Sequence, residues 1–124
     1  MAKTIAKVLG AVFVLLGLAG SVRPDFLGAH LSPTHNLIYI VSGAIALYFG
    51  FASSTAGARA FALVFGVVYL LLGLVAWFMG TGAEHMFSVG TLLMLGKADH
   101  IVHILFGIIF LAGGLLGDPT IPPP

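Results

Sequence analysis

The stretch AKVLGAVFVLLGLA, residues 6–19, decides how this chain folds, because it returns as ALVFGVVYLLLGLV at residues 62–75 with eight identities in 14 positions. A second pair, HNLIYIVSGAIALYFG at 35–50 and DHIVHILFGIIFLAGG at 99–114, matches at five of 16. The repeated unit therefore holds two apolar segments, and an even number of crossings brings both copies into a bilayer the same way round. The expectation is a pair of parallel helix-hairpin repeats, related by a pseudo-two-fold along the membrane normal. Inverted repeats, common in alternating-access carriers, do not fit.

A hydrocarbon core about 30 Å thick is crossed by roughly 20 apolar residues of helix at 1.5 Å each. Working outward from the repeat, four spans are predicted, at about 5–22, 36–52, 60–79 and 100–116. The fold class expected is all-α, an integral membrane four-helix bundle forming one domain over residues 1–124. Composition agrees: 60% of the side chains are hydrophobic and 7% are charged, against about 25% charged in a soluble domain. So few charges cannot coat a water-soluble globule, which removes the soluble enzyme classes. A net charge of +1 without a Lys or Arg run removes nucleic-acid binding. The absence of cysteine removes disulfides, thiolate metal sites and Cys nucleophiles. The first span has the outline of a secretory leader, with Lys3 and Lys7 ahead of Ala19-Gly20-Ser21. Its internal copy makes a structural span the expectation.

Each span carries two glycines seven residues apart: Gly10 and Gly17, Gly43 and Gly50, Gly66 and Gly73, Gly107 and Gly114. Seven residues is two helical turns, so each pair shares a face and admits another backbone closely. Lipid offers no hydrophobic drive between helices, so such seams are expected to hold the bundle together. The side of the membrane bearing Lys3, Lys7 and Arg59 outweighs the side bearing Arg23 and Lys97 by three to two. Under the positive-inside rule both termini are expected in the cytoplasm, in a bacterial inner membrane. The apolar segment 86–95 is too short to span and is expected to lie in the interface or dip in and return. Tyr39 and Trp77 at one level, and Tyr48, Phe51 and Phe61 at the other, read as interfacial belts. The tail 117–124, with four prolines, reads as extended.

No Asp, Glu, Lys or Arg falls at the middle of a span, which argues against a pump or ion-coupled carrier. All five histidines (His30, His35, His85, His100 and His103) fall on one side, with Asp25, Glu84 and Asp99. Asp99 is expected to be the N-cap of the last span, accepting from orphan amides at the positive end of the helix dipole. His100 and His103 share a helix face, and His35 is their partner by the pseudo-two-fold. These three are the candidates for holding haem, a chlorophyll-type pigment or a metal through imidazole nitrogen. The competing reading makes them hydrogen-bonding ties between span four and a loop or span two. No serine sits in a nucleophile elbow and no phosphate-binding glycine loop follows a strand, so the expectation is that the protein is not an enzyme.

Three stretches carry a resemblance: Phe65-Gly-Val-Val-Tyr-Leu-Leu-Leu-Gly-Leu74, His35-Asn36-Leu-Ile-Tyr39-Ile-Val-Ser-Gly43 and Ala98-Asp99-His100-Ile-Val-His103-Ile-Leu-Phe-Gly107. They resemble a bacterial family of small four-span membrane proteins, domain-of-unknown-function family four-three-eight-three, over about residues 35–114. In that family both even-numbered spans tend to open with a polar pair, a His three residues on and a Gly four further. His103 matches this pattern and Tyr39 departs from it. A more distant likeness, through size and glycine-rich helices, is to the DoxX-like four-span proteins. Neither resemblance implies an activity. The leading expectation is a non-enzymatic accessory or structural subunit of a larger membrane assembly, respiratory or photosynthetic. A histidine-based cofactor-binding protein and a small homo-oligomeric channel are the alternatives.

Overall fold

The computed structural model describes residues 2–23, 25, 31–89 and 93–116, with the backbone alone at Val89. Four helices carry the chain: α1 (Ala2–Val22), α2 (Pro33–Phe51), α3 (Thr55–Met79) and α4 (Lys97–Leu116). Each is long and apolar enough to cross a membrane, so the architecture is that of an integral membrane protein with four spans. The proline-bearing tail and His30 lie outside the described residues.

All four helices begin three to five residues before the predicted spans, because their first turns carry polar residues that hydropathy leaves out. The Ser32 hydroxyl accepts from the His35 N–H and Pro33 opens α2; the Ser54 hydroxyl accepts from the Gly57 N–H and opens α3. Serine at the cap and proline at the first helical position satisfy or remove amides that a helix start leaves unpaired. The early starts change what neighbouring residues do. His35 and Asn36 enter the first turn of α2 as buried side chains. Arg59, expected in a loop, lies inside α3 and donates from Nε to the Gly114 carbonyl at 3.2 Å. It thereby covers an open carbonyl at the negative end of α4.

Between α3 and α4 the segment expected at the interface forms an antiparallel hairpin of two short strands, β1 (Phe87–Val89) and β2 (Leu93–Leu95). Phe87 pairs with Leu95 and Val89 with Leu93. Pairing lets the two strands satisfy part of each other's backbone, which one extended strand against lipid cannot do. Alternation then turns Leu95 fully inward and Met94 outward.

α1 packs antiparallel on α2, and α3 on α4, through the eight glycines. A methyl group on Gly43 would lie 2.7 Å from the Gly10 carbonyl oxygen, and one on Gly107 2.5 Å from the Leu70 nitrogen. No side chain fits where backbones approach so closely. The two hairpins make corresponding contacts. Gly10 meets Leu47 and Gly66 meets Leu111; Gly17 meets Ile40 and Gly73 meets Ile104. Gly43 meets Val14 and Gly107 meets Leu70; Gly50 meets Lys7 and Gly114 meets Leu63. Adding 56 to each α1 number (10 to 66) and 64 to each α2 number (47 to 111) converts one set into the other.

Aromatic side chains join the hairpins. Phe13 is fully buried and meets Tyr39 at 5.5 Å, Tyr69 at 5.3 Å, Phe106 at 4.5 Å and Phe110 at 5.9 Å between ring centroids. The edge-on and tilted geometries are those aromatic quadrupoles favour. Tyr39 and Phe61, expected in interfacial belts, instead belong to this core, at 2% and 6% exposure. Hydropathy places a ring at a depth along a helix but says nothing of its direction. Tyr48 and Phe51 do face outward. α2 and α3 touch little, leaving a cleft between them.

Candidate functional site

The starts of α2 and α4 meet at one end of the bundle and gather its buried polar side chains: His35, Asn36, Asp99, His100 and His103. Burial of such groups in a membrane span is costly and calls for partners. Most are found locally. Asn36 Nδ2 donates to the Leu31 carbonyl at 3.2 Å. Gly96 holds the cap position of α4, its carbonyl accepting from the His100 N–H at 3.0 Å. Asp99, expected at that position, is instead in the first turn, and its Oδ2 accepts the Gly96 N–H at 2.9 Å. It caps from inside, as the acidic member of a capping box does. Its Oδ1 lies 3.9 Å from His35 Nδ1.

One turn deeper, the Tyr39 hydroxyl and His103 Nε2 are 3.3 Å apart. The His35 ring stacks on Tyr39 at 4.6 Å and stands edge-on to His103 at 5.6 Å. The Tyr69 ring is 5.6 Å from His103, and its hydroxyl pairs with Ser42. A neutral imidazole has one N–H and one bare nitrogen. Either group can donate in the Tyr39–His103 bond, according to the tautomer, and in both cases the buried Nδ1 of His103 has no hydrogen-bond partner among the described residues.

His100 belongs to a different group. It donates from Nε2 to the His85 carbonyl at 2.6 Å and meets Trp77 edge-on at 6.4 Å. His85 adopts a left-handed backbone (φ 49°), stacks on Trp77 at 4.0 Å and donates from Nδ1 to the Trp77 carbonyl at 2.9 Å. This ties the loop after α3 to the start of α4. Of the three histidines singled out in the sequence, His35 and His103 come together and His100 is turned away, although i,i+3 spacing puts it on the same helix. No group of three His, Cys, Asp or Glu able to hold a metal ion occurs among the described residues.

Beside the His35–His103 contact is a pocket of about 230 Å³. One edge is formed by His35, Tyr39, Ser42, Tyr69 and His103, whose polar atoms hardly open onto it; its other walls are apolar side chains of α2, α3 and the β-hairpin. Sites for drug-sized ligands run from roughly 300 to 1,000 Å³, and a tetrapyrrole is larger than this space allows. The two imidazoles also stand in contact, without room for a macrocycle between them. The residues present do not fit haem or chlorophyll. Tyr39, Tyr69 and Ser42 were not among the candidates read from sequence. Their one sequence signal was position, at i+4 from His35, aligned with Phe13 in the repeat, and mid-span, respectively.

The model of a family described as domain of unknown function (DUF4383) matches residues 3–116. No curated protein and no solved structure matches the chain.

Proposed function

This chain belongs to the DUF4383 family, and we propose that it is a non-enzymatic membrane protein that binds a small neutral molecule at the His35–Tyr39–Tyr69–His103 pocket. One observation carries this reading: a pocket whose accessible walls are almost wholly apolar stands against His103, which is 1% exposed and whose Nδ1 has no partner among the described residues. The accessible surface of that pocket is almost wholly apolar, which suits a small uncharged molecule and would penalise a charged one. The test is extraction and mass spectrometry of small molecules that co-purify from native membranes. The expected result is one species near stoichiometric with wild type and lost from His103→Leu. Wild-type protein that is free of any such species counts against the reading.

A second reading makes the chain an accessory or structural subunit of a larger membrane assembly. It is favoured by a perimeter of large aliphatic side chains, such as Leu15, Val64, Leu71 and Leu105, with little surface outside the spans. Sizing under mild detergent tests it, a lone monomer being the contrary result. Phe13, Phe106 and Phe110 fill the axis of one bundle, so the homo-oligomeric channel would need its pore between copies of the chain. The reading also places the protein in the bacterial inner membrane with both termini cytoplasmic, and takes the two hairpins as copies of one duplicated unit. The matched glycine contacts and the sequence repeat support that last point.

A further inference from the structure

We infer that the bound molecule is a neutral, single-tailed lipid, entering sideways from the bilayer, with its head group at the His103 end of the pocket and its tail along the α2–α3 cleft. The inference rests on the pocket reading above and names the ligand of that same site.

The pocket does not end at its histidine edge. A second cavity of about 360 Å³ lies between the same two helices, toward the end of α2, with Phe65 common to both. On α2 the wall continues as Ile38, Ser42, Ile45 and Phe49, spaced three or four residues apart and so on one face. From Ile38 to Phe49 a helix rises about 16 Å, an apolar trough of the length of a lipid tail. Its far end is widened by Gly57 and Ala60.

The lip of this trough faces hydrocarbon. Ile38, Ile45, Val64 and Val68 are 39–59% exposed on the membrane-facing surface, so a molecule dissolved in the bilayer reaches the cleft directly. At the His103 end, Leu93 and Leu95 of the β-hairpin wall the pocket. Charge selects the head group. Neither cavity is lined by Lys or Arg, so a phosphate would be desolvated without a counterion. The imidazole and phenol residues at this end turn almost wholly apolar surface to the pocket, against which an uncharged head group can lie and a charged one cannot. A two-tailed phospholipid fails on charge, and on width in a cleft between two neighbouring helices.

The experiment uses the whole chain in phosphatidylcholine nanodiscs with 15N-labelled histidine, the His103 ring signals being assigned by their loss in His103→Gln. Dodecanol, butanol and dodecyl phosphate are titrated. Ala60→Phe fills the tail end at an exposed lip position; Ala56→Phe, outside both cavities, is its control. Dodecanol is expected to shift the His103 signals saturably in wild type and in Ala56→Phe, and to need at least about tenfold more in Ala60→Phe. Butanol is expected to act on Ala60→Phe and wild type alike. Equal dodecanol titrations of Ala60→Phe and wild type, or dodecyl phosphate acting as strongly as dodecanol, would overturn the tail or the neutral head while leaving the pocket reading in place. No response to either alcohol removes both.

Discussion

Along their glycine seams the α1–α2 and α3–α4 hairpins are close to interchangeable, while at the starts of α2 and α4 they differ. His35 occupies in the first hairpin the position that Asp99 occupies in the second (35 + 64 = 99), and the two face each other at 3.9 Å. Tyr39 and His103 are likewise equivalent (39 + 64 = 103) and 3.3 Å apart. Phe13 and Tyr69, equivalent on α1 and α3, touch ring to ring. On the proposed duplication, residues that touch their own counterparts lie on the axis relating the halves. There an identical pair would set carboxylate against carboxylate, which disfavours ionisation of both. Unlike residues make an acid–imidazole pair and a phenol–imidazole pair instead. The seam asks for glycine in either copy, because only backbone shape matters there. The axis rewards difference, because chemistry matters there.

Six substitutions test that contrast. The largest effect is expected at the seam: Gly43→Ala and Gly107→Ala should each destabilise by about 3 kcal/mol, at the upper end of overpacking. Unfolding by dodecyl sulfate, followed by circular dichroism, measures both, and values differing by more than twofold would break the equivalence of the hairpins. Asp99→Ala removes the acceptor of the Gly96 N–H and the partner of His35, at a cost of about 2 kcal/mol in the same measurement. A negligible loss would show that the polar end contributes no stability. Tyr39→Phe deletes one hydroxyl and should cost about 1.5 kcal/mol. It should also change the 15N shift of His103 Nε2; an unchanged shift would break the assigned phenol–imidazole bond. Smallest is loss of a helix cap. Ser32→Ala and Ser54→Ala are each expected to cost about 1 kcal/mol, similar in size although only Ser32 stands beside the polar cluster. A much larger effect at Ser32 would sharpen the contrast, tying the cap to the placement of His35.

Much of the fold was legible before any coordinates. Uninterrupted apolar runs of the right length can only be spans, and glycines two turns apart can only share a face. The site was less legible, for identifiable reasons. Hydropathy began the spans three to five residues inside the helices, so the Ser32–Pro33 and Ser54 starts were passed over and Arg59 was left in a loop. The segment 86–95 was too short for periodicity to separate a strand pair from an interfacial stretch. Tyr39 looked like a belt residue because its depth was readable and its direction was not. His100 and His103 looked like one site, yet a loop residue, His85, draws the first of them away.

The sequence by itself determined immersion in lipid, the number of spans and the faces that glycine keeps open, since these follow from chain-local length, polarity and helical period. Only the tertiary structure decided that His103 meets Tyr39 and His35, that Asp99 caps from within α4, and that a trough separates α2 from α3. Those outcomes depend on how one hairpin docks against the other, and helical periodicity fixes a residue's face without fixing what that face will meet.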